Sequence, residues 1–384
     1  MFKGKELRYE VAYYFSRFST ASFIKPIYSI YLAKLNVDVS SIVLVSNIHL
    51  VQVIVLTPLV SYFISDKVSR KLSWLLALIF FKIGLAIYVF ARGLKDVVLA
   101  ELIYNIGAVF RASNPEIMAY TALKRVNEKK VTQVLMGGEL ISLITMGLFS
   151  ISGGLMATYD LRLPFIALIS TLLLIFIVTF ILGEDVRDFQ GRRSIDVKDI
   201  VILRHRLTSI LPALITLLAI SLTYAMISPL ISLLLYEQYG LSFFSIGLVY
   251  AIIGFATYML LRTTLKNIVS DAYSEAVMPL SIITCTLIAF MLFSGSIIAS
   301  IMAFLMLTLL PRVARPIIFV YLQGFIEERL RATVNSLISS IVSVMTFILI
   351  VIGNLLKLTI EGILTYVIAI NAILLIIALL LRRS

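Results

Sequence analysis

Residues 163–206 read LPFIALISTLLLIFIVTFIL and then GEDVRDFQGRRSIDVKDIVILRHR. The first part is a run of uncharged, mostly apolar residues, and a helix of about 20 residues at 1.5 Å per residue covers about 30 Å, the thickness of a bilayer's hydrocarbon core. The second part is the longest polar break in the chain. On its N-terminal side, apolar runs bounded by charge clusters predict helices at 9–32, 40–64, 72–91, 97–123 and 131–157, besides 163–182. On its C-terminal side they predict six more, at 208–236, 243–265, 276–293, 297–322, 334–356 and 362–381. The expected fold is therefore an all-α integral membrane protein of twelve transmembrane helices. Its domains are an N-terminal six-helix bundle (1–182), a linker (183–207) and a C-terminal six-helix bundle (208–384). These predicted segments are called spans 1 to 12 below.

The composition agrees with that class and excludes others. Hydrophobic residues make up 60% of the 384, against about 45–50% in an ordinary soluble domain, and the mean hydropathy is +1.04. The charged segment Met1–Glu10 precedes an apolar stretch that is too long for a signal peptide and lacks a small-residue cleavage site, so span 1 is expected to stay in the membrane. Cys285 is the single cysteine and lies in an apolar run, which rules out disulfides and cysteine-ligated metal within one chain. With only His49 and His205 besides, no metal site, no catalytic cluster and no cofactor are expected. No G-x-x-x-x-G-K-[ST] loop is present, so the chain does not drive transport with ATP by itself.

Lys and Arg cluster at the N-terminus, in the linker, in the loops after spans 2, 4, 8 and 10, and at Arg382 and Arg383. The opposite loops hold only Lys34, Arg92, Lys95, Arg162 and Lys357. The bias places both termini in the cytoplasm and accounts for most of the net charge of +12 without invoking nucleic acid. The expected setting is a multi-pass protein of the cell membrane, working as a monomer.

Local motifs carry a family resemblance along the whole chain. Asp66-Lys67-Val68-Ser69-Arg70-Lys71, between spans 2 and 3, resembles the Asp-Arg-x-Gly-Arg-Lys end of the major facilitator loop signature, with Tyr62 and Ser69 where that signature has glycines. The stretch Phe110-Arg111-Ala112-Ser113-Asn114-Pro115-Glu116, with Tyr120 and Leu123-Lys124 after it, resembles the fourth helix of a drug-efflux-like branch of the superfamily; Thr121 replaces the aspartate usual there. Leu163-Pro164-Phe165, Glu184, Tyr236 to Ser242 and Arg331-Ala332-Thr333 match in order. Phe149-Ser150-Ile151-Ser152-Gly153-Gly154 lacks the Gly-Pro of proton antiporters, and Glu101 stands where the branch often has Arg. The resemblance implies a secondary transporter working by alternating access. It places Asp66, Arg70 and Lys71 in a cytoplasmic gate, with Glu184 as an ion-pair partner, and has spans 1, 4, 7 and 10 line the substrate pathway.

Ionisable groups at mid-bilayer cost about 2.5–3.5 kcal/mol each on insertion scales and normally face a partner or a cavity. Arg17 and Lys25 fall in span 1, Lys82 in span 3, Arg111 in span 4, and Arg312 and Arg315 in span 10; the acids are Glu101, Glu116 and Glu139. Helical spacing puts Arg17, Ala21 and Lys25 on one ridge, and Arg315 one turn from Arg312. Ser221, Tyr224, Ser228 and Ser232 form a polar stripe on span 7, where Pro229 is free to bend the helix. Arg17, Lys25, Arg111, Arg312, Arg315 and Tyr224 are the expected substrate contacts, and Glu116 and Glu139 the expected proton carriers. The excess of cations favours an anionic or amphipathic small molecule, exported in exchange for protons; uptake by proton symport, and a non-transporting receptor or scaffold, are the alternatives.

The orientation has a direct check. Cysteines introduced at Lys129 and Arg193 are expected to react with an impermeant reagent only from the cytoplasmic side, and one at Asp160 only from outside; the reverse pattern would invert the topology.

Overall fold

The computed structural model describes residues 2–20, 23–52, 56, 69–111, 128–182, 207–264, 272–324 and 331–383. Among them are fourteen α-helices and no strand. They are α1 (Phe2–Arg17), α2 (Tyr28–Lys34), α3 (Val39–Ser46), α4 (Arg70–Phe90), α5 (Leu94–Arg111), α6 (Glu128–Ala157), α7 (Leu163–Leu182), α8 (Leu207–Ile227), α9 (Leu230–Glu237), α10 (Phe243–Thr264), α11 (Ala272–Phe293), α12 (Ile297–Gly324), α13 (Arg331–Leu355) and α14 (Ile360–Arg383). Each overlaps one of the twelve predicted spans, although α1 starts at Phe2, ahead of the expected start at Tyr9. Seven are long and apolar enough to cross a membrane, the most apolar being Leu163–Leu182 with a mean hydropathy of 3.0. The all-helical membrane architecture read from the sequence is thus observed.

The fourteen helices fall in twelve spans because spans 1 and 7 each carry two; span 2 also turns at Asn47-Ile48 and is helical again over 49–52. Span 1 runs as α1, a short 3-10 turn at Phe18–Thr20 and, after a non-helical stretch around Pro26, α2. Proline lacks an N–H and pushes the residue before it out of the helical region, so Lys25 lies in a turn. This corrects the ridge drawn from the sequence: the 3.6-residue period does not run from Arg17 to Lys25, and the two cations do not rise along one helical face. Span 7 divides at Ser228-Pro229 into α8 and α9.

By contacts the chain forms two units. Unit 1 comprises Met1–Val37, Ile48–Gly191 and Gly240–Phe255; unit 2 comprises Asp38–Asn47, Arg192–Tyr239 and Ala256–Ser384.

In unit 1, α4 packs on α5 and α7, and α1 on α6 and α7. The approach of α4 and α5 depends on small residues: a Cβ at Gly84 would meet Ala100 and Tyr104, and one at Gly107 would meet Ala77 and Phe81. The small-residue stripe of α6, Ser150 and Gly154, lies against Phe243 and Gly247 of α10, a packing use of such spacing. Trp74, Phe165, Leu172 and Ile175 fill the interior.

In unit 2, α8 is the hub. It packs on α11, α12, α13 and α14, and α3 packs on α8 and α13. Asn371, fully buried on α14, donates to the Thr223 hydroxyl at 2.9 Å, and Asn47 donates to the Ala225 carbonyl at 2.9 Å. Cys285 lies in the apolar core beside Ile220 and Leu217.

Outside the spans, Asp38 caps α3: its carboxylate accepts from the Ser41 N–H at 3.0 Å and the Ser40 hydroxyl at 2.6 Å. Partial burial works against the charge, but these hydrogen bonds outweigh it and hold the carboxyl below its ordinary pKa. A lowered folded-state pKa adds stability above the unfolded value of about 3.9, and that stability fades as pH falls through the folded value. Asp38→Ala is expected to lower the melting temperature at pH 7 by an amount equivalent to about 1 kcal/mol. The difference from the parent should shrink below about pH 4.

Candidate functional site

Unit 2 brings the expected residues of spans 7 and 10 together. Arg315, more than halfway along α12, is half-buried and donates from Nη2 to the Ser221 hydroxyl at 3.0 Å. Tyr224, one turn further along α8, lies within electrostatic reach of the same guanidinium. The helical stripe read from the sequence therefore faces the arginine helix through its first two members. Arg312, one turn before Arg315, is exposed. Among the described residues neither Arg312 nor Arg315 pairs with a carboxylate. Pro311 and Pro316 bracket the pair, and α12 continues through both.

Unit 1 holds the cations of spans 1 and 4. Arg17 ends α1 and is 6% exposed, with its guanidinium 6.0 Å from the Tyr13 ring centre. Lys25 is half-buried in the turn before α2, and Arg111 is the last described residue of α5. Lys82 reaches from α4 to the face of Phe176 on α7, 4.4 Å from the ring centre, which is cation–π distance. Its charge rests on an aromatic ring, as suits a packing role.

Of the expected gate, Asp66 and Glu184 lie outside the described residues. Arg70 begins α4, and Lys71 donates to the Phe180 carbonyl at 2.8 Å near the end of α7. Arg8 donates to the neighbouring Ile181 carbonyl at 2.5 Å. Two cations thus complement the open carbonyls and negative dipole end of α7. Of the expected proton carriers, Glu116 lies outside the described residues; Glu139 is on α6, with its side chain among the parts not described.

Glu101 is the acid whose surroundings are fully on view. Its Oε1 accepts from the hydroxyls of Tyr28 and Tyr88, each at 2.6 Å, and its Oε2 accepts from Asn105 Nδ2 at 3.0 Å. Its i+4 spacing from Asn105 was visible in the sequence, whereas its phenol partners come from α2 and α4. No group of three His, Cys, Asp or Glu able to hold a metal gathers among the described residues.

The sequence model of the Major Facilitator Superfamily matches residues 11–353. No protein of curated function matches the sequence. Solved structures do. An alanine mutant of the nucleoside transporter NupG superposes with a TM-score of 0.82 at 12% identity, over 98% of this chain and 99% of that one. A D-xylose–proton symporter gives 0.70 at 13% identity, over 99% and 97%. The human organic anion transporter TETRAN gives 0.62 at 12% identity, over 97% and 99%. At these identities the likeness is one of fold.

If Arg315 serves a ligand and not the fold, removing its charge will not weaken the ligand-free protein, because a buried ion is often replaced by an apolar side chain at no cost. Arg315→Met is expected to melt at or above the parent temperature. A fall equivalent to about 3 kcal/mol or more, the usual result of breaking a buried ion pair, would make Arg315 structural.

Proposed function

The chain belongs to the Major Facilitator Superfamily and is a multi-pass membrane transporter, and from that premise we propose that it is a secondary active transporter of small organic anions or anionic amphipathic compounds, working by alternating access. The observation that carries the reading is Arg315. Among the described residues this half-buried arginine, set in an apolar helix, meets a serine hydroxyl and no carboxylate, and a charge so placed favours an anion. Ser221, Tyr224 and Arg312 supply the donors around it. A planar guanidinium offers a carboxylate, sulfonate or phosphate two parallel hydrogen bonds, which a lysine ammonium cannot copy. The motifs of span 4 favour export, and the proton gradient is the driving force proposed for it, as in the drug-efflux-like branch they resemble. Asp66, Arg70, Lys71 and Glu184 are proposed as its gate on the side of the termini.

The experiment uses purified protein in lipid nanodiscs with salicylate as the anionic probe and tetraphenylphosphonium as the cationic one. Salicylate is expected to raise the melting temperature and to exchange in counterflow in proteoliposomes. Arg315→Lys and Arg312→Lys should each weaken salicylate binding about tenfold or more, the equivalent of a lost charge-assisted hydrogen bond. Stabilisation by the cation instead, or lysine variants that bind as the parent does, would overturn the anion site.

A further inference from the structure

Where α4 ends and α5 begins lies an open groove of about 600 Å³, lined by Ile83, Ala86, Ile87, Phe90, Arg92 and Asp96. Ile83, Ile87 and Phe90 recur at the i, i+4, i+7 spacing of one helical face, and Ala86 is the small side chain among them. Phe90 is 76% exposed and Ile83 44%. Because α4 is one of the helices long and apolar enough to cross a membrane, this face meets acyl chains. The groove's polar end lies where the span stops. Ala91 leaves the helix with extended backbone, and residues 91–93 alone separate α4 from α5. A Cβ at Gly93 would meet nothing within 4 Å, so the space beside this link is open.

That polar end carries both signs of charge. Arg92 is exposed in the link, and Asp96 is half-buried in the first turn of α5. Asp96 accepts the Arg92 backbone N–H on Oδ2 at 2.8 Å, which holds the carboxylate next to the link. The Arg92 and Asp96 side chains form no ion pair with each other, and among the described residues neither pairs with any other charge. Lys95 is exposed but does not line the groove. A groove with one cation and one anion at its mouth, neither spent on the other, is complementary to a head that itself carries both charges.

We propose that this groove binds one membrane phospholipid, phosphatidylethanolamine: its phosphate takes the Arg92 guanidinium, its primary ammonium takes the Asp96 carboxylate, and an acyl chain lies along Ile83, Ile87 and Phe90. A guanidinium matches a phosphate with two parallel hydrogen bonds. A primary ammonium brings three N–H donors to the carboxylate. The trimethylated head of phosphatidylcholine has the same two charges but no N–H to donate. Phosphatidylglycerol has the phosphate and no cation, so it leaves Asp96 unmatched. A lipid held by both residues ties the end of α4 to the first turn of α5 and stabilises the folded protein by the free energy of its binding. The site stands apart from the anion reading above, which involves neither residue.

The test uses the full-length protein, purified in detergent and stripped of lipid. It is titrated with phosphatidylethanolamine, phosphatidylcholine and phosphatidylglycerol of identical acyl chains. Native mass spectrometry counts the bound lipid, and the melting temperature reads its effect on stability. Phosphatidylethanolamine is expected to bind about tenfold more tightly than phosphatidylcholine, the worth of one hydrogen bond to a charged group, and to raise the melting temperature more. Asp96→Asn keeps an oxygen for the Arg92 N–H, so it should fold as the parent does while losing the preference for ethanolamine over choline. Arg92→Gln alters an exposed side chain and should weaken all three lipids. The headgroup ranking of the parent needs no variant: equal binding of the ethanolamine and choline lipids would refute the ammonium contact, and so would a preference that survives Asp96→Asn. Tightest binding of phosphatidylglycerol would make the groove a site for an anionic lipid instead. Binding of all three lipids untouched by Arg92→Gln would remove the groove as the site.

Discussion

A charge or an open backbone group in hydrocarbon has no water to satisfy it, and that constraint orders the rest of this structure. Helices satisfy their own backbones, so the spans are helical; what is left over must find partners within the protein. The remainders here are met one by one. The last carbonyls of α7 receive Lys71 and Arg8, Lys82 lies on the Phe176 ring, Asn371 and Asn47 donate into α8, and Glu101 gathers two phenols and an amide. Each partner is a specific side chain at a specific height. The polar residues therefore fix which helices adjoin, while the apolar ones supply area.

The class and span count were legible because the bilayer imposes a length, and a run such as 163–182 has no competing explanation. The breaks at Pro26 and Pro229 were half legible. Proline marks both, but Pro311 and Pro316 lie in an unbroken α12, so the residue alone does not say whether a helix stops. Extending the helical ridge from Arg17 to Lys25 failed for that reason. The stripe on span 7 was read correctly as polar, yet nothing local identified Arg315 as its partner, 94 residues away. The same holds for Glu101, whose nearer phenol is 13 residues off and whose other is 73. Spacing within a helix shows which side chains share a face; which face meets which is settled by packing that a single sequence does not display.

Two of the interruptions, in spans 1 and 7, fall in the first span of each half, and a further one at Asn47-Ile48 lies in span 2. Broken spans at corresponding positions are what a fold built from repeats uses to expose backbone groups and polar side chains to a transported solute. Here each break has polar or charged residues near it. In unit 1, Arg17 precedes it, Lys25 lies within it and Tyr28 follows it; in unit 2, Ser221 and Tyr224 precede Ser228-Pro229. The short segments beyond the breaks are nonetheless packed in, α2 through Ser29–Leu32 and α9 through Leu230–Leu235, all buried. The long helices α4 and α12 supply Tyr88 and Arg315 beside them.

Glu101 and Arg315 share one feature that separates them from an ordinary ion pair. Among the described residues each meets neutral partners, two phenols and an amide for the acid and a serine hydroxyl for the base. An opposite charge would hold either one permanently, since breaking a buried pair costs about 3–5 kcal/mol. A hydroxyl lowers the desolvation penalty but leaves the charge uncancelled, so a mobile charge of the right sign still gains by arriving. For the guanidinium such a charge is an anion able to take two hydrogen bonds, as the proposed anion site requires. Neutral partners around a half-buried charge would let the proposed anion site be stable when empty and better when filled.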